Sequence, residues 1–372
     1  SSVLTCHDTV ARLGGDEFCV LLSSLGQSQA QAQTKALLVA ERIITEIEKP
    51  LTIENERLKT SASIGVSFFC GEQVDLSALM KQADIAMYEA KKKGKNQVCV
   101  FSSDMEARLL ERLTLKSELR TAINENQLTV HYQPVMDQDS NIVKLEALVR
   151  WFHPTKGWIR PDIFIPIAEA YQLIVPLGDF VLHRVLQDLV SWRAVSPDLD
   201  WKVAVNISQF QLSYEHFYDQ AVAAFTEYQL DPSQVIFEVT ESAIAQNIDK
   251  SIAKMSALKA LGITFSLDDF GTGYSSLAYL KQLPISELKI DQSFVKSLPD
   301  DLDDVAIVHS ILSLAKAMNL RVVAEGVETN QQWAFLKSGH CDNFQGYLFA
   351  KPMPANDIEK IIKDPSLLGG NS

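Results

Sequence analysis

The residues of this chain best suited to chemistry are acids, amides and a lysine at the ends of apolar runs. Glu146 lies in IVKLEALVRW and Asn206 closes WKVAVNIS. Glu238 and Glu241 follow in QVIFEVTE, and Asp268 and Asp269 in ITFSLDDF. Lys289 sits in ELKID, Glu325 in RVVAEGVE and Gln345 in NFQGYLF. One polar residue at a strand end is ordinary, because strands end where water begins. Seven in series, if brought to one mouth, crowd carboxylates that repel unless a cation neutralises them. Oxygen donors without His or Cys favour Mg²⁺ or Mn²⁺ over zinc. None of the seven histidines forms an HxxxH pair, and the only adjacent His–Asp, His7–Asp8, lies far upstream. Asp268 and Asp269 could bridge a second ion, as in in-line phosphoryl displacement.

Two cationic residues accompany these acids. In EALVR, alternation puts Glu146, Leu148 and Arg150 on one strand face, so Arg150 is placed for a phosphate oxygen. Lys289 lies inside a strand, which suits a polar interior where it could orient a water or steady charge on a phosphoryl group. In DDFGTGYSSL, Gly271 and Gly273 form a flexible loop directly after the aspartates. SSLAYL then starts a helix whose N–H groups could meet an anion. A plain turn with an N-cap serine is the ordinary alternative.

Such residues need a scaffold that gathers strand ends. Eight strand-like runs from Leu128 onward alternate with helical stretches at 178–194, 214–228, 250–261, 303–318 and 329–338. That pattern predicts a (β/α)8 barrel, whose sites lie at the C-terminal strand ends. Only DQDSN separates the first two runs, so they read as a hairpin and one strand runs antiparallel.

The first hundred residues read as strand, helix, two strands, helix, strand. Phe18–Leu22 is an apolar run, and residues 29–49 carry helical spacing. LTI and SASIGVSFF read as paired strands, LSALMKQADIAMYEAKKKG as a helix closed by Gly94, and VCVF as a last strand. Residues 104–126 carry a long helix without Gly or Pro. The expected division is 1–103, a connecting helix over 104–127, a barrel over 128–363 and a tail over 364–372.

Composition narrows the classes further. Hydrophobic residues make up 47% and charged residues 22%, with a net charge of −13. That charge disfavours nucleic-acid polymers and anionic lipid. Cys6, Cys19, Cys70, Cys99 and Cys341 are odd in number and show no CxxC, which fits a reducing cytoplasm. No apolar stretch reaches the ~20 residues of a membrane span. The chain starts on Ser1, without a signal-peptide pattern, so it reads as part of a longer polypeptide.

LEALVRW, VAVNIS, FEVTES, LDDFGTGYSSL, LKID, VVAEGVET and FQGYLFAKPM resemble, in order over residues 108–363, the motifs of EAL-type cyclic di-GMP phosphodiesterases. RLGGDEF, SASIGVS and ADIAMYEAKKKGKNQ resemble the later part of a GGDEF diguanylate cyclase domain. The resemblance implies a TIM-type barrel with one antiparallel strand, hydrolysing cyclic di-GMP to linear pGpG with two Mg²⁺ or Mn²⁺ ions and a water they activate. It implies metal ligands at Glu146, Asn206, Glu238 and Asp268, with Asp269 on a second ion and Gln345 completing the metal environment. Glu325 matches a ligand or general base, and Lys289 the lysine near the attacking water. Glu241 matches a glutamate that steadies the DDFG loop, and Gln133 and Arg150 match substrate contacts.

Gly14, Gly15, Asp16 and Glu17 carry the GGDEF signature, but the part of that domain before it is absent. Thr5 stands where the inhibitory Arg-x-x-Asp motif ending at Asp8 has its arginine. This half is therefore expected to be inactive or regulatory here. The resemblance further implies a homodimer, an upstream sensor, and GTP as ligand of a complete GGDEF domain. Rival readings are a cyclic di-GMP receptor that does not cut, and a bifunctional cyclase and phosphodiesterase in the full-length protein.

Overall fold

The computed structural model describes residues 3–26, 28–53, 56–69, 75–125, 127–245, 247–271 and 277–369. The chain divides into two compact units, Ser1–Thr114 and Leu115–Ser372.

In the first unit, RLGGDEF closes a hairpin in which Thr9–Gly14 pairs antiparallel with Glu17–Leu21. The expected apolar run accounts for the second strand. The first is exposed along its whole length, so no buried face marks it in the sequence. Helices Gln29–Ile47 and Leu76–Lys92 fall where their spacing puts them. Each opens on a side-chain cap, Ser28 accepting from the Gln31 N–H and Asp75 from those of Ser77 and Ala78.

LTI and SASIGVSFF do not pair with each other. Leu51–Ile53 pairs with Glu56–Leu58, and Ile64–Val66 runs parallel to Val98–Val100. Gly65 lies so close to the second helix that a Cβ would stand 1.9 Å from the Ala83 carbonyl oxygen. Packing on that helix fixes this strand's place.

The second unit is a closed barrel. Its strands are β1 (Leu128–Asp137), β2 (Ile142–His153), β3 (Lys202–Asn206), β4 (Val235–Thr240), β5 (Thr264–Phe270), β6 (Glu287–Ile290), β7 (Arg321–Ala324) and β8 (Asn343–Gln345). From β2 to β8 each strand runs parallel to the next. β1 closes the ring antiparallel to both β2 and β8. The DQDSN turn makes this possible: Ser140 takes φ +63, and the Asp137 carboxylate accepts from the Asp139 and Asn141 N–H groups, both at 2.8 Å.

The expected barrel helices appear as Ile174–Val195, Phe217–Tyr228, Ile248–Ala260, Leu302–Ala317 and Asn330–Ser338. Among the helices that go unannounced, Pro161–Ala170 is interrupted by Pro166, and Ala355–Lys363 follows the last barrel strand. The helix expected over 104–126 spans Ser103–Asn124, and its Leu115, Leu119 and Ala122 pack with Trp151 and Phe164.

Alternation along the strands sorts the side chains. Val203, Val205, Phe237, Val239, Phe265, Leu267, Leu288 and Ile290 are all within 1% of full burial and form the main core with the helices. Each such side chain contributes about 1.5–3 kcal/mol. The opposite strand faces carry Lys144, Glu146, Glu238, Ser266, Asp268, Glu287 and Lys289, all buried. A barrel interior is ordinarily filled by branched apolar residues; here its upper layers are charged.

Candidate active site

Lys289 is the centre of the interior cluster. Its side chain is 1% exposed, and Nζ lies 2.6 Å from Glu238, 2.5 Å from Glu325, 3.2 Å from Asp268 and 3.6 Å from Glu146. Four carboxylates from β2, β4, β5 and the end of β7 thus share one ammonium. Burial opposes its charge, but the surrounding acids hold the lysine well above its ordinary pKa.

The acids respond differently to the same crowding. Burial pushes Glu238 up to about 7, against the pull of Lys289. Burial raises Glu325 well above the carboxylate range, with Asp268 and Glu146 adding repulsion. Glu146 is also buried, yet Lys289 and two amide donors lower its pKa. Those donors are Gln345 Nε2, 2.6 Å from Oε2, and Asn206 Nδ2, 2.8 Å from Oε1. Gln345 Nε2 also reaches Gln133 Oε1 at 3.1 Å, and Gln133 donates onward to the Ala350 carbonyl at 3.0 Å.

β5 brings two adjacent carboxylates to this mouth. Its register with β6 shifts between Leu267, opposite Leu288, and Phe270, opposite Ile290. Two residues therefore oppose Lys289 alone, which is a β-bulge. Asp269 takes φ +54, the left-handed region that Asp tolerates better than most residues. As a result Asp268, Asp269 and Glu325 each offer an oxygen within 4.8 Å of the others. Among the described residues this is the one such group of three acids. Burial and the Asp268 charge raise the pKa of Asp269.

The remaining expected residues sit around this centre. Arg150 is half-buried on β2, its Nη1 3.0 Å from the Val149 carbonyl, with Tyr347 and Glu146 among the charges it feels. Glu241 opens the short helix Glu241–Ala245 after β4, and its buried Oε2 finds no partner among the described residues. Gly271 has φ +100, and its Cβ would touch Phe294 at 3.0 Å. Gly273 and the expected helix start at Ser275–Ser276 lie outside the described residues; the helix described there is Leu277–Leu280.

In the first unit, Gly14, Gly15, Asp16 and Glu17 form an exposed turn, Gly15 at φ +53, braced by Arg12 donating to the Gly15 carbonyl at 2.6 and 3.0 Å. Asp8 caps its own turn by accepting from the Thr5 N–H and hydroxyl at 2.8 and 2.7 Å.

Two charged residues escaped the sequence reading. Lys144 and Glu287 are 3% and 2% exposed, one pleat below Glu146 and Lys289. They form a close ion pair, and Lys144 Nζ also lies 3.3 Å from Glu238 Oε1. The signal was available: each stands two positions before a site residue, and so on the same strand face.

An eight-stranded TIM-type barrel with a lysine-centred acid cluster at its C-terminal strand ends defines the architecture. The chain belongs to the EAL domain family, which it matches over residues 116–352. Residues 1–97 match the diguanylate cyclase, GGDEF domain family. The chain is 42% identical over 353 residues to the bifunctional diguanylate cyclase/cyclic di-GMP phosphodiesterase MucR of Pseudomonas aeruginosa, covering 95% of this chain and 50% of that protein. It is 39% identical over 365 residues to the cyclic di-GMP phosphodiesterase PdeR of Escherichia coli, covering 97% and 54%. It thus spans about half the length of the curated relatives it matches. Among solved structures, the PaMucR phosphodiesterase in its c-di-GMP complex superposes with TM-score 0.64 at 43% identity, over 66% of this chain and 99% of that one. The EAL enzyme Bd1971 in its cGMP-bound form gives TM-score 0.67 at 28% identity, over 78% and 76%.

Proposed function

We propose that the barrel hydrolyses cyclic di-GMP to linear pGpG with Mg²⁺ or Mn²⁺. The observation that carries this reading is the convergence of Glu146, Glu238, Asp268 and Glu325 on Lys289, beside the Asp268–Asp269–Glu325 group. Named relatives that cut this dinucleotide, and a solved relative holding it, support the same substrate.

The donor chemistry fits hard divalent ions. Three acids lie within reach of one another, and Gln345 Oε1 is a buried carbonyl oxygen without a partner among the described residues. In our assignment Glu146, Asn206, Glu238, Asp268, Asp269, Glu325 and Gln345 hold two ions. Bound there, divalent ions supply Lewis acidity toward a phosphodiester oxygen and lower the pKa of a coordinated water.

The chain's own residues do the rest. Lys289 carries a fixed positive charge at the centre of the mouth, where charge develops on a phosphoryl group. Glu325, with its raised pKa and its bond to Lys289, is the group suited to take a proton from water. Arg150 and Gln133 face the substrate's phosphate and polar edge from β2 and β1, and Glu241 positions the loop after Asp269. We assign residues 1–103 to a regulatory or inactive GGDEF part, 104–127 to a connecting helix, 128–363 to the phosphodiesterase and 364–372 to a tail. GTP binding by a complete GGDEF domain, homodimerisation and an upstream sensor belong to the same proposal.

Incubation with cyclic di-GMP and Mg²⁺ or Mn²⁺ tests the reading. pGpG should accumulate, chelator should stop it, and Glu146→Ala or Asp268→Ala should abolish it while the melting curve persists. Binding of cyclic di-GMP without any product would replace this reading with that of a receptor.

A further inference from the structure

We infer that the buried Lys144–Glu287 pair is a positioning device that fixes the Glu238 carboxylate for divalent-ion binding; the inference rests on the metal-site reading above. Lys144 comes from β2, Glu238 from β4 and Glu287 from β6. Alternate strands contribute one interior layer of a barrel, so these side chains meet on its axis. The Glu238 oxygens are held from two sides, Oε1 by Lys144 at 3.3 Å and Oε2 by Lys289 at 2.6 Å. Glu287 in turn bonds Lys144, whose side chain is only 4% exposed. The charges alternate from Glu287 through Lys144 and Glu238 to Lys289 and its acids. From Glu287 to Lys289 no side chain is more than 4% exposed, so neither lysine can swing away without leaving a carboxylate unpaired.

A buried ion pair seldom stabilises a fold more than apolar residues of similar volume. If these two side chains only fill the barrel floor, an apolar pair should serve as well. If they orient Glu238, the apolar pair should keep the fold and lose ion affinity. Groups that hold a metal ligand in place typically account for about 10–100-fold in affinity.

The test compares Lys144→Met/Glu287→Leu, which keeps the interior charge balanced, with Lys144→Arg, which keeps the donor. Mn²⁺ binding is read by electron paramagnetic resonance and folding by thermal melting, both without cyclic di-GMP. Wild-type Mn²⁺ binding tests the metal-site reading, and the variant-to-wild-type ratio tests this inference. We expect the double variant to melt cooperatively, near the wild type, with Mn²⁺ affinity reduced about 10–100-fold. Lys144→Arg should recover most of that loss. Wild-type affinity in a folded double variant overturns the inference. If the double variant does not fold, Lys144→Met and Lys144→Arg decide together: reduced affinity in the first with affinity within twofold of wild type in the second supports a positioning donor, and equal affinities in the two overturn it.

Discussion

Asp268 and Asp269 are neighbours in the chain, yet both present an oxygen within 4.8 Å of the same Glu325. In a regular strand, successive side chains point to opposite faces. The bulge opposite Lys289 and the left-handed backbone of Asp269 cancel that alternation.

Substitutions at Asp269 should therefore separate backbone from chemistry. Asn tolerates the left-handed region, whereas Ala there costs about 1–2 kcal/mol. Asp269→Asn should melt like the wild type and lose metal-dependent turnover by about 100-fold or more, at least the effect of losing an outer partner of a metal ligand. Asp269→Ala should show the same loss of turnover and a lower Tm. Equal Tm values for the two would mean that the left-handed backbone is not what the aspartate accommodates.

Lys289 acts as counter-ion to four acids, and its removal should be felt first as stability. Breaking a buried pair from one side typically costs about 3–5 kcal/mol. Lys289→Met should lower the Tm sharply in chelator. Because Mn²⁺ can replace the missing positive charge, the ion should raise the Tm of the variant more than that of the wild type. Melting scans of both proteins, with and without Mn²⁺, measure the difference.

The barrel was legible because its strands and helices alternate at readable periods and a five-residue turn announced the antiparallel β1. The site was legible for a related reason: strand ends converge, so polar residues in corresponding places had to meet. What stayed hidden depends on contacts distant in sequence. Nothing local shows that two residues of β5 oppose one of β6, or that Lys144 pairs with Glu287 across the interior. Their spacing puts Lys144 and Glu287 on the same strand faces as Glu146 and Lys289, but it does not name the partner of either. In the first unit, the exposed strand Thr9–Gly14 had no apolar face to betray it, and pairing of SASIGVSFF was decided by helix contact at Gly65 rather than by its own pattern.

Glu238 links the same site to pH. Its folded pKa of about 7, raised chiefly by burial, lies above the ordinary 4.5. Between those values the folded chain binds more protons than the unfolded one, so stability falls as pH rises. The contribution is fully present below pH 4.5 and is lost as pH passes through about 7. Glu325 shifts in the same direction and adds to the trend, while Glu146, whose pKa is lowered, changes stability only below the ordinary 4.5 and leaves this interval untouched. Divalent ions need the ionised carboxylate, so Mn²⁺ affinity should rise over the interval in which metal-free stability falls. Chelated melts from pH 5 to 8 should show a shallower decline for Glu238→Gln than for the wild type. Identical slopes would place the titrating group elsewhere.

Gly346 is where the backbone itself sets the site. A Cβ there would lie 2.0 Å from the Val327 carbonyl oxygen and 2.3 Å from its nitrogen, and neither backbone atom can rotate away. The two segments are stitched on both sides of this contact. Val327 N–H donates to the Gln345 carbonyl and Leu348 N–H to the Val327 carbonyl, each at 3.0 Å. Gln345 precedes Gly346 directly, and Glu325 lies two residues before Val327, so separating the segments moves both side chains from Glu146 and Lys289. Gly346→Ala should cost about 1–3 kcal/mol or more, as overpacking does, and should weaken Mn²⁺ binding in whatever protein remains folded. Gly14 supplies the control, since a Cβ there meets nothing within 4 Å. Gly14→Ala should leave Tm and Mn²⁺ affinity within error of the wild type. A Gly346→Ala protein that binds Mn²⁺ normally would show that the β7 and β8 ends can part without disturbing the acids they carry.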